Sequence, residues 1–144
     1  MSRESGEVEA RQAPAKRILI VEDNALNMKL LNDILEVHGY ETLPTGDGLQ
    51  AVELARTQRP DLILLDIQLP DVSGLEVTRL LRADERTRNI PIIAVTAFAM
   101  GGDRERVLAS GCDVYVSKPI DVHDLLRRVA DILARPNPAA PASP

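Results

Sequence analysis

Five side chains have the types and the placement for joint chemistry: Glu22, Asp23, Asp66, Thr96 and Lys118. Each stands at the end of a short apolar run. Glu22 and Asp23 follow Ile18-Leu19-Ile20-Val21, and Asp66 follows Leu62-Ile63-Leu64-Leu65. Thr96 closes the run from Pro91, and Lys118 follows Val114-Tyr115-Val116-Ser117. A run that is apolar without alternation reads as a strand buried on both faces. An ionised group in its middle would lose its water without gaining a partner. The polar residues therefore belong at the strands' carboxyl ends, the edge of an open α/β sheet where ligands bind.

The chemistry open to this set is narrow. Crowded carboxylates repel, by about 4 kcal/mol for two unit charges about 4 Å apart at an effective dielectric near 20. A proton or a cation must be shared. A hard divalent ion suits oxygen ligands, and Mg²⁺ suits a few protein oxygens completed by water. Mg²⁺ in turn implies a phosphate partner whose charge it neutralises. A carboxylate can attack phosphorus to give an aspartyl phosphate. Thr96 could then hydrogen-bond one phosphoryl oxygen and Lys118 pair with another. The structural alternative is a loop acid that caps a turn. It explains one aspartate, but not three acids, a hydroxyl and a lysine ending four strands on one edge.

The elements that must position these residues can be read in order. Asn24 is a plausible N-cap for a helix with Leu31, Ile34, Leu35 and His38 on one face, stopped by Gly39. Tyr40 to Leu43 reads as a short strand. Gly46-Asp47-Gly48 turns into a helix carrying Ala51, Leu54 and Ala55, closed by Arg59-Pro60. After the Asp66 strand, Pro70 and Gly74 frame a loop before a helix with Val77, Leu80 and Leu81. The helix from about Asp103 to Ser110 has only Val107 and Leu108 as large apolar residues, which predicts loose docking and freedom to shift. Gly111 breaks it. The last helix shows the clearest stripe: Val122, Leu125, Leu126, Val129, Ile132 and Leu133.

Five strands alternating with five helices predict an α/β, doubly wound, five-stranded parallel sheet covered on both faces. The strand order 2-1-3-4-5 makes the first and third strands neighbours and brings Glu22 and Asp23 beside Asp66. The 144 residues suit one domain, here placed at 17–134. Residues 1–16 have no apolar period and read as a flexible arm. Residues 135–144, with Pro136, Pro138, Pro141 and Pro144, read as a disordered Pro/Ala-rich tail.

Composition narrows the function classes. A net charge of -5 argues against a nucleic-acid or anionic-membrane surface. No apolar run approaches the ~20 residues of a membrane span, and the N-terminus lacks a signal-peptide core. The single cysteine, Cys112, allows no internal disulfide and fits a reducing cytoplasm. Aromatics are only 2% of the chain, so the core rests on Leu, Ile, Val and Ala.

The set Glu22-Asp23, Asp66, Thr96 and Lys118-Pro119 resembles the receiver domain of bacterial two-component response regulators, over about Arg17 to Ala134. The runs Val21-Glu22-Asp23-Asn24, Leu26-Asn27-Met28-Lys29-Leu30, Asp66-Ile67-Gln68-Leu69-Pro70, Ser73-Gly74-Leu75-Glu76-Val77 and Val95-Thr96-Ala97-Phe98-Ala99-Met100 resemble in particular its single-domain members in cell division. The resemblance implies that Asp66 is the phosphoacceptor, taking its phosphoryl group from a histidine kinase. Asp23, Asp66 and the Gln68 main-chain carbonyl would ligate Mg²⁺, or Mn²⁺ in its place, with Glu22 reaching the ion through water. Thr96 and Tyr115 would be the switch pair, and Lys118 the phosphoryl partner. The family also places a cis peptide at Lys118-Pro119. The first acid is Glu where many receivers have Asp. The expected partners are histidine kinases or phosphatases, and a protein effector bound through the fourth helix, fifth strand and last helix. A relay intermediate, passing phosphate to a histidine on another protein, is the alternative.

Other residues and rival functions fit less well. His38 and His123 lack a constellation, and Cys112 reads as a small packing residue. A phosphohydrolase with an Asp nucleophile needs a second acid two residues on, where this chain has Gln68, which cannot protonate a leaving group. A nucleotide-binding module needs a glycine-rich loop after the first strand, where this chain has Glu22-Asp23-Asn24-Ala25. A DNA-binding regulator needs a second domain, and only the tail follows Ala134.

Overall fold

A computed structural model of the chain describes residues 15–97 and 103–135. Most of the expected N-terminal arm, the loop after Ala97 and the proline-rich tail lie outside the described residues. The elements alternate as expected: β1 Arg17–Val21, α1 Ala25–Val37, β2 Glu41–Thr45, α2 Gly48–Gln58, β3 Leu62–Asp66, α3 Gly74–Ala83, β4 Ile92–Thr96, α4 Asp103–Ala109, β5 Val114–Ser117 and α5 Val122–Leu133. The sheet order is β2-β1-β3-β4-β5, and every pairing is parallel. This is the 2-1-3-4-5 arrangement that the sequence predicts.

The unbroken apolar runs have a direct physical cause. Successive strand side chains point to opposite faces, and both faces are covered. Leu19, Val21, Ile63, Leu65, Ile92 and Ala94 pack with Ala51, Val52 and Ala55 of α2, Val77 and Leu81 of α3, and Val107 of α4. Ile18, Ile20, Leu62, Leu64, Ile93 and Val116 pack with Leu31 and Leu35 of α1 and Leu125, Val129 and Ile132 of α5. Neither set of strand positions can be polar, so no alternation survives in the sequence.

Local signals set the helix boundaries. The Asn24 side chain accepts from the Asn27 amide, and Asp47, Ser73 and Asp121 cap α2, α3 and α5 in the same way. Gly39, at φ 89°, turns the chain out of α1. There the Tyr40 and Gly39 amides donate to the carbonyls of Leu35 and Glu36, the paired bonds of a Schellman end. That turn corrects one expectation. His38 does not extend the apolar face of α1; the helix stops at Val37, and His38 is exposed, with its Nδ1 2.9 Å from the Ile34 carbonyl. The second strand starts at Glu41 and runs through Pro44, tolerated because β2 is an edge strand. Among the described residues no helix is long and apolar enough to cross a membrane.

Candidate functional site

Asp66 is the last residue of β3 and only 3% exposed. Glu22, one residue beyond β1, is equally buried at 3%, whereas its neighbour Asp23 is exposed. Alternation puts the two on opposite faces, and Glu22 continues the row of Ile18 and Ile20 that α1 and α5 cover. Sheet order does the rest, because β1 and β3 are paired in register and bring Glu22 beside Asp66. One carboxylate oxygen from each of Glu22, Asp23 and Asp66 lies within 4.8 Å of the others.

Lys118 enters from the end of β5 and spans this group. Its Nζ lies 3.1 Å from Asp66 Oδ2 and 3.6 Å from Glu22 Oε1. The peptide between Lys118 and Pro119 is cis, as the resemblance implies. The other Asp66 oxygen, Oδ1, accepts the Gln68 amide at 2.9 Å, and Glu22 Oε2 accepts the Asn24 amide at 3.1 Å. Burial, and then the charge of Asp66, push the Glu22 pKa up, although the Asn24 amide and Lys118 oppose this. For Lys118, burial alone would lower the pKa. The hydrogen bond and charge of Asp66, together with Glu22, outweigh it and raise the value.

One ammonium faces three carboxylates, so the site retains an excess of negative charge. The donor set is all oxygen and partly open to solvent through Asp23. It therefore fits a small hard divalent cation that keeps some of its water.

Thr96 ends β4 and is buried, at 1% exposed. Its carbonyl accepts the Lys118 amide at 2.8 Å, and the Ile67 amide donates to the Val95 carbonyl at 3.0 Å. Both flanking loops are thus tied to the end of β4. Ala94 pairs in register with Tyr115, and Thr96 with Ser117. By alternation Thr96 and Tyr115 project to one face, where half-buried Tyr115 packs against the cluster shared with α2, α3 and α4.

All five residues singled out for joint chemistry therefore reach one edge, with Gln68 and Tyr115 beside them. The sequence reading missed two features. The Gln68 side chain accepts the Ala97 amide at 3.2 Å, linking the loop after Asp66 to the one after Thr96. Asp71 accepts the Gly48 and Leu49 amides at 3.0 and 3.1 Å, tying the same loop to α2. Neither bond has a sequence signal beyond polarity.

Comparison with known proteins agrees with this geometry. Residues 18–130 match the family described as the response regulator receiver domain. The polar-differentiation response regulators DivK of Brucella anthropi and Brucella abortus are each 58% identical over 118 residues, covering 82% of this chain and 96% of theirs. The receiver domain of the sensor histidine kinase PA1611 from Pseudomonas aeruginosa superposes with a TM-score of 0.79 at 40% identity, over 84% of this chain and 99% of that one. In that structure a magnesium ion is coordinated in the active site cleft. A putative response regulator from Chloroflexus aurantiacus gives a TM-score of 0.80 at 28% identity, over 84% of this chain and 99% of its own. The match runs from the first strand into the last helix, and the chain belongs to the response regulator receiver domain family.

Proposed function

We propose that this chain is a single-domain response regulator that accepts a phosphoryl group on Asp66 and signals by binding a protein partner in its phosphorylated form. One observation carries the reading: Asp66 ends the central strand, buried among two other acids, with Lys118 Nζ at 3.1 Å. The donor is a phosphohistidine on a histidine kinase. An Asp66 carboxylate oxygen attacks phosphorus, the phosphorus–nitrogen bond breaks, and its electron pair stays on the imidazole, which takes a proton. Lys118 pairs with a phosphoryl oxygen, and the Thr96 hydroxyl hydrogen-bonds another.

Asp23, Asp66 and the Gln68 main-chain carbonyl would hold Mg²⁺, or Mn²⁺ in its place, with Glu22 reaching it through water. Bound there, the ion neutralises the charge that the acids and the phosphoryl group bring together. The exposed apolar residues Leu26 and Leu30 of α1 and Leu49 of α2 favour a protein as donor. The chain is a regulatory phosphoacceptor that assists its own phosphorylation and dephosphorylation. The likeness to DivK supports a cytoplasmic role in cell-division or polarity control, read out through α4, β5 and α5. Thr96 and Tyr115 would couple the site to that face.

The test is acyl-phosphate mapping by mass spectrometry after incubation with a small phosphodonor and Mg²⁺. Wild type should be labelled at Asp66 alone and Asp66→Asn not at all; undiminished label in Asp66→Asn rejects the assignment. A chase with histidine phosphotransfer proteins separates a terminal receiver, which keeps its phosphate, from the relay alternative.

A further inference from the structure

The opposite, amino edge of the sheet carries a groove of about 500 Å³. It is lined by the residues just before β1, the connections entering β3, β4 and β5, and the end of α5. Helix carboxyl ends gather here and attract cations. Arg82 meets that need: its guanidinium donates to the carbonyls of Gly111, Arg88 and Ile90 and to Asp113. Arg86 is paired with Asp84.

Four other cations lining the groove are not engaged. Lys16, Arg59, Arg88 and Arg135 are exposed, and their side chains have no hydrogen-bond or ion-pair partner among the described residues. The acids do not balance them. Asp113 is held by Arg82 and the Ile92 amide, which leaves two acids, Glu85 and Asp61, the latter accepting the Arg17 amide, against the four cations. This concentration of positive charge sits on a chain whose net charge is -5. Like charges held together favour a multiply charged anion. Ile90, Pro91 and Leu133, all half-buried, add an apolar wall. The volume far exceeds that of a phosphate ion and lies within the ~300–1,000 Å³ of small-molecule sites.

We propose that this groove binds a phosphorylated small molecule of nucleotide size, its phosphates held among Lys16, Arg59, Arg88 and Arg135 and its ring against the apolar wall. Guanidinium groups suit both parts, since they pair bidentately with phosphate and stack on flat rings. None of these residues belongs to the acid site, so the proposal does not depend on the chemistry at Asp66.

The experiment is calorimetric titration of the full chain, in chelator, with ATP, inorganic pyrophosphate and adenosine. Without metal the acid site repels phosphate, so heat reports the groove. ATP should bind more tightly than either fragment and weaken with salt, and Arg59→Glu/Arg88→Glu should lower its affinity at least about tenfold. The double variant should still be labelled at Asp66 by a phosphodonor with Mg²⁺, which shows that it folds. Arg88→Gln alone, which keeps size and removes charge, should weaken ATP about threefold. No heat from millimolar ATP, equal affinity in the charge variants, or pyrophosphate binding as tightly as ATP would each overturn the proposal.

Discussion

Glu22 and Asp66 share one ammonium, and that sharing sets the electrostatics of the site. Burial and the charge of Asp66 raise the Glu22 pKa above its ordinary value of 4.5. Between pH 4.5 and that raised value the folded protein holds a proton that the unfolded chain has already released. The stability linked to that proton is complete below pH 4.5 and is lost as pH rises through the folded value. In metal-free buffer, Glu22→Gln should flatten this decline and make the protein about 1 kcal/mol more stable at pH 7. Urea unfolding in chelator across this range measures it. An unchanged pH slope would mean that Glu22 is not the group responsible. Glutamine can still accept the Asn24 amide, so the comparison isolates charge.

At the scale of elements, the junction between β3 and α3 fixes where Asp66 points. Gly74 opens α3, and its amide donates to the Ile67 carbonyl at 2.9 Å. A Cβ at Gly74 would lie 2.6 Å from the Ile67 Cα and 2.7 Å from the Asp66 carbonyl oxygen. Both are backbone atoms, so relief requires α3 to move away from the strand end. Gly74→Ala should cost about 2–3 kcal/mol in urea unfolding and slow labelling of Asp66. Wild-type stability would show that the junction is softer than this packing implies. The α4 helix contrasts with α3. Val107 is its one buried side chain among the described residues, with Leu108 half-buried, while α5 buries Leu125, Val129 and Ile132. The sparse anchoring expected from the sequence is present, and it makes α4 the least costly helix to displace.

The whole molecule is a parallel sheet with the acid cluster and Lys118 at one edge and a sparsely anchored helix on one flank. Thr96 lies between them, at the end of β4, on the face that also carries Tyr115. A phosphoryl group that draws in the Thr96 hydroxyl would bias this flank between two arrangements. Beryllofluoride, a mimic of the phosphoryl group, should raise affinity for a captured protein partner roughly 5–150-fold, the range of a 1–3 kcal/mol coupling. Thr96→Ala should retain acyl phosphate at Asp66 but lose most of that gain, and removal of residues 136–144 should leave it intact. Equal gain in Thr96→Ala would break the coupling argument. Loss of binding on truncation would move the output surface to the tail.

Much of this architecture was legible in the sequence because its causes are local. Burial on both faces leaves unbroken apolar runs such as Ile18–Val21 and Leu62–Leu65, and their polar ends mark one sheet edge. Asn24 and Asp47 accept the amides of the helices they precede, and Gly39 supplies the positive φ that ends α1. Tertiary structure decided what depends on contacts between distant segments. Glu22 is buried while adjacent Asp23 is exposed, and Lys118 reaches Asp66 from 52 residues away. Gln68 crosses to the Ala97 amide over 29 residues. Likewise, Lys16, Arg59, Arg88 and Arg135 are scattered singly along the chain. They share a groove only because right-handed crossovers return each connection to the same end of the sheet.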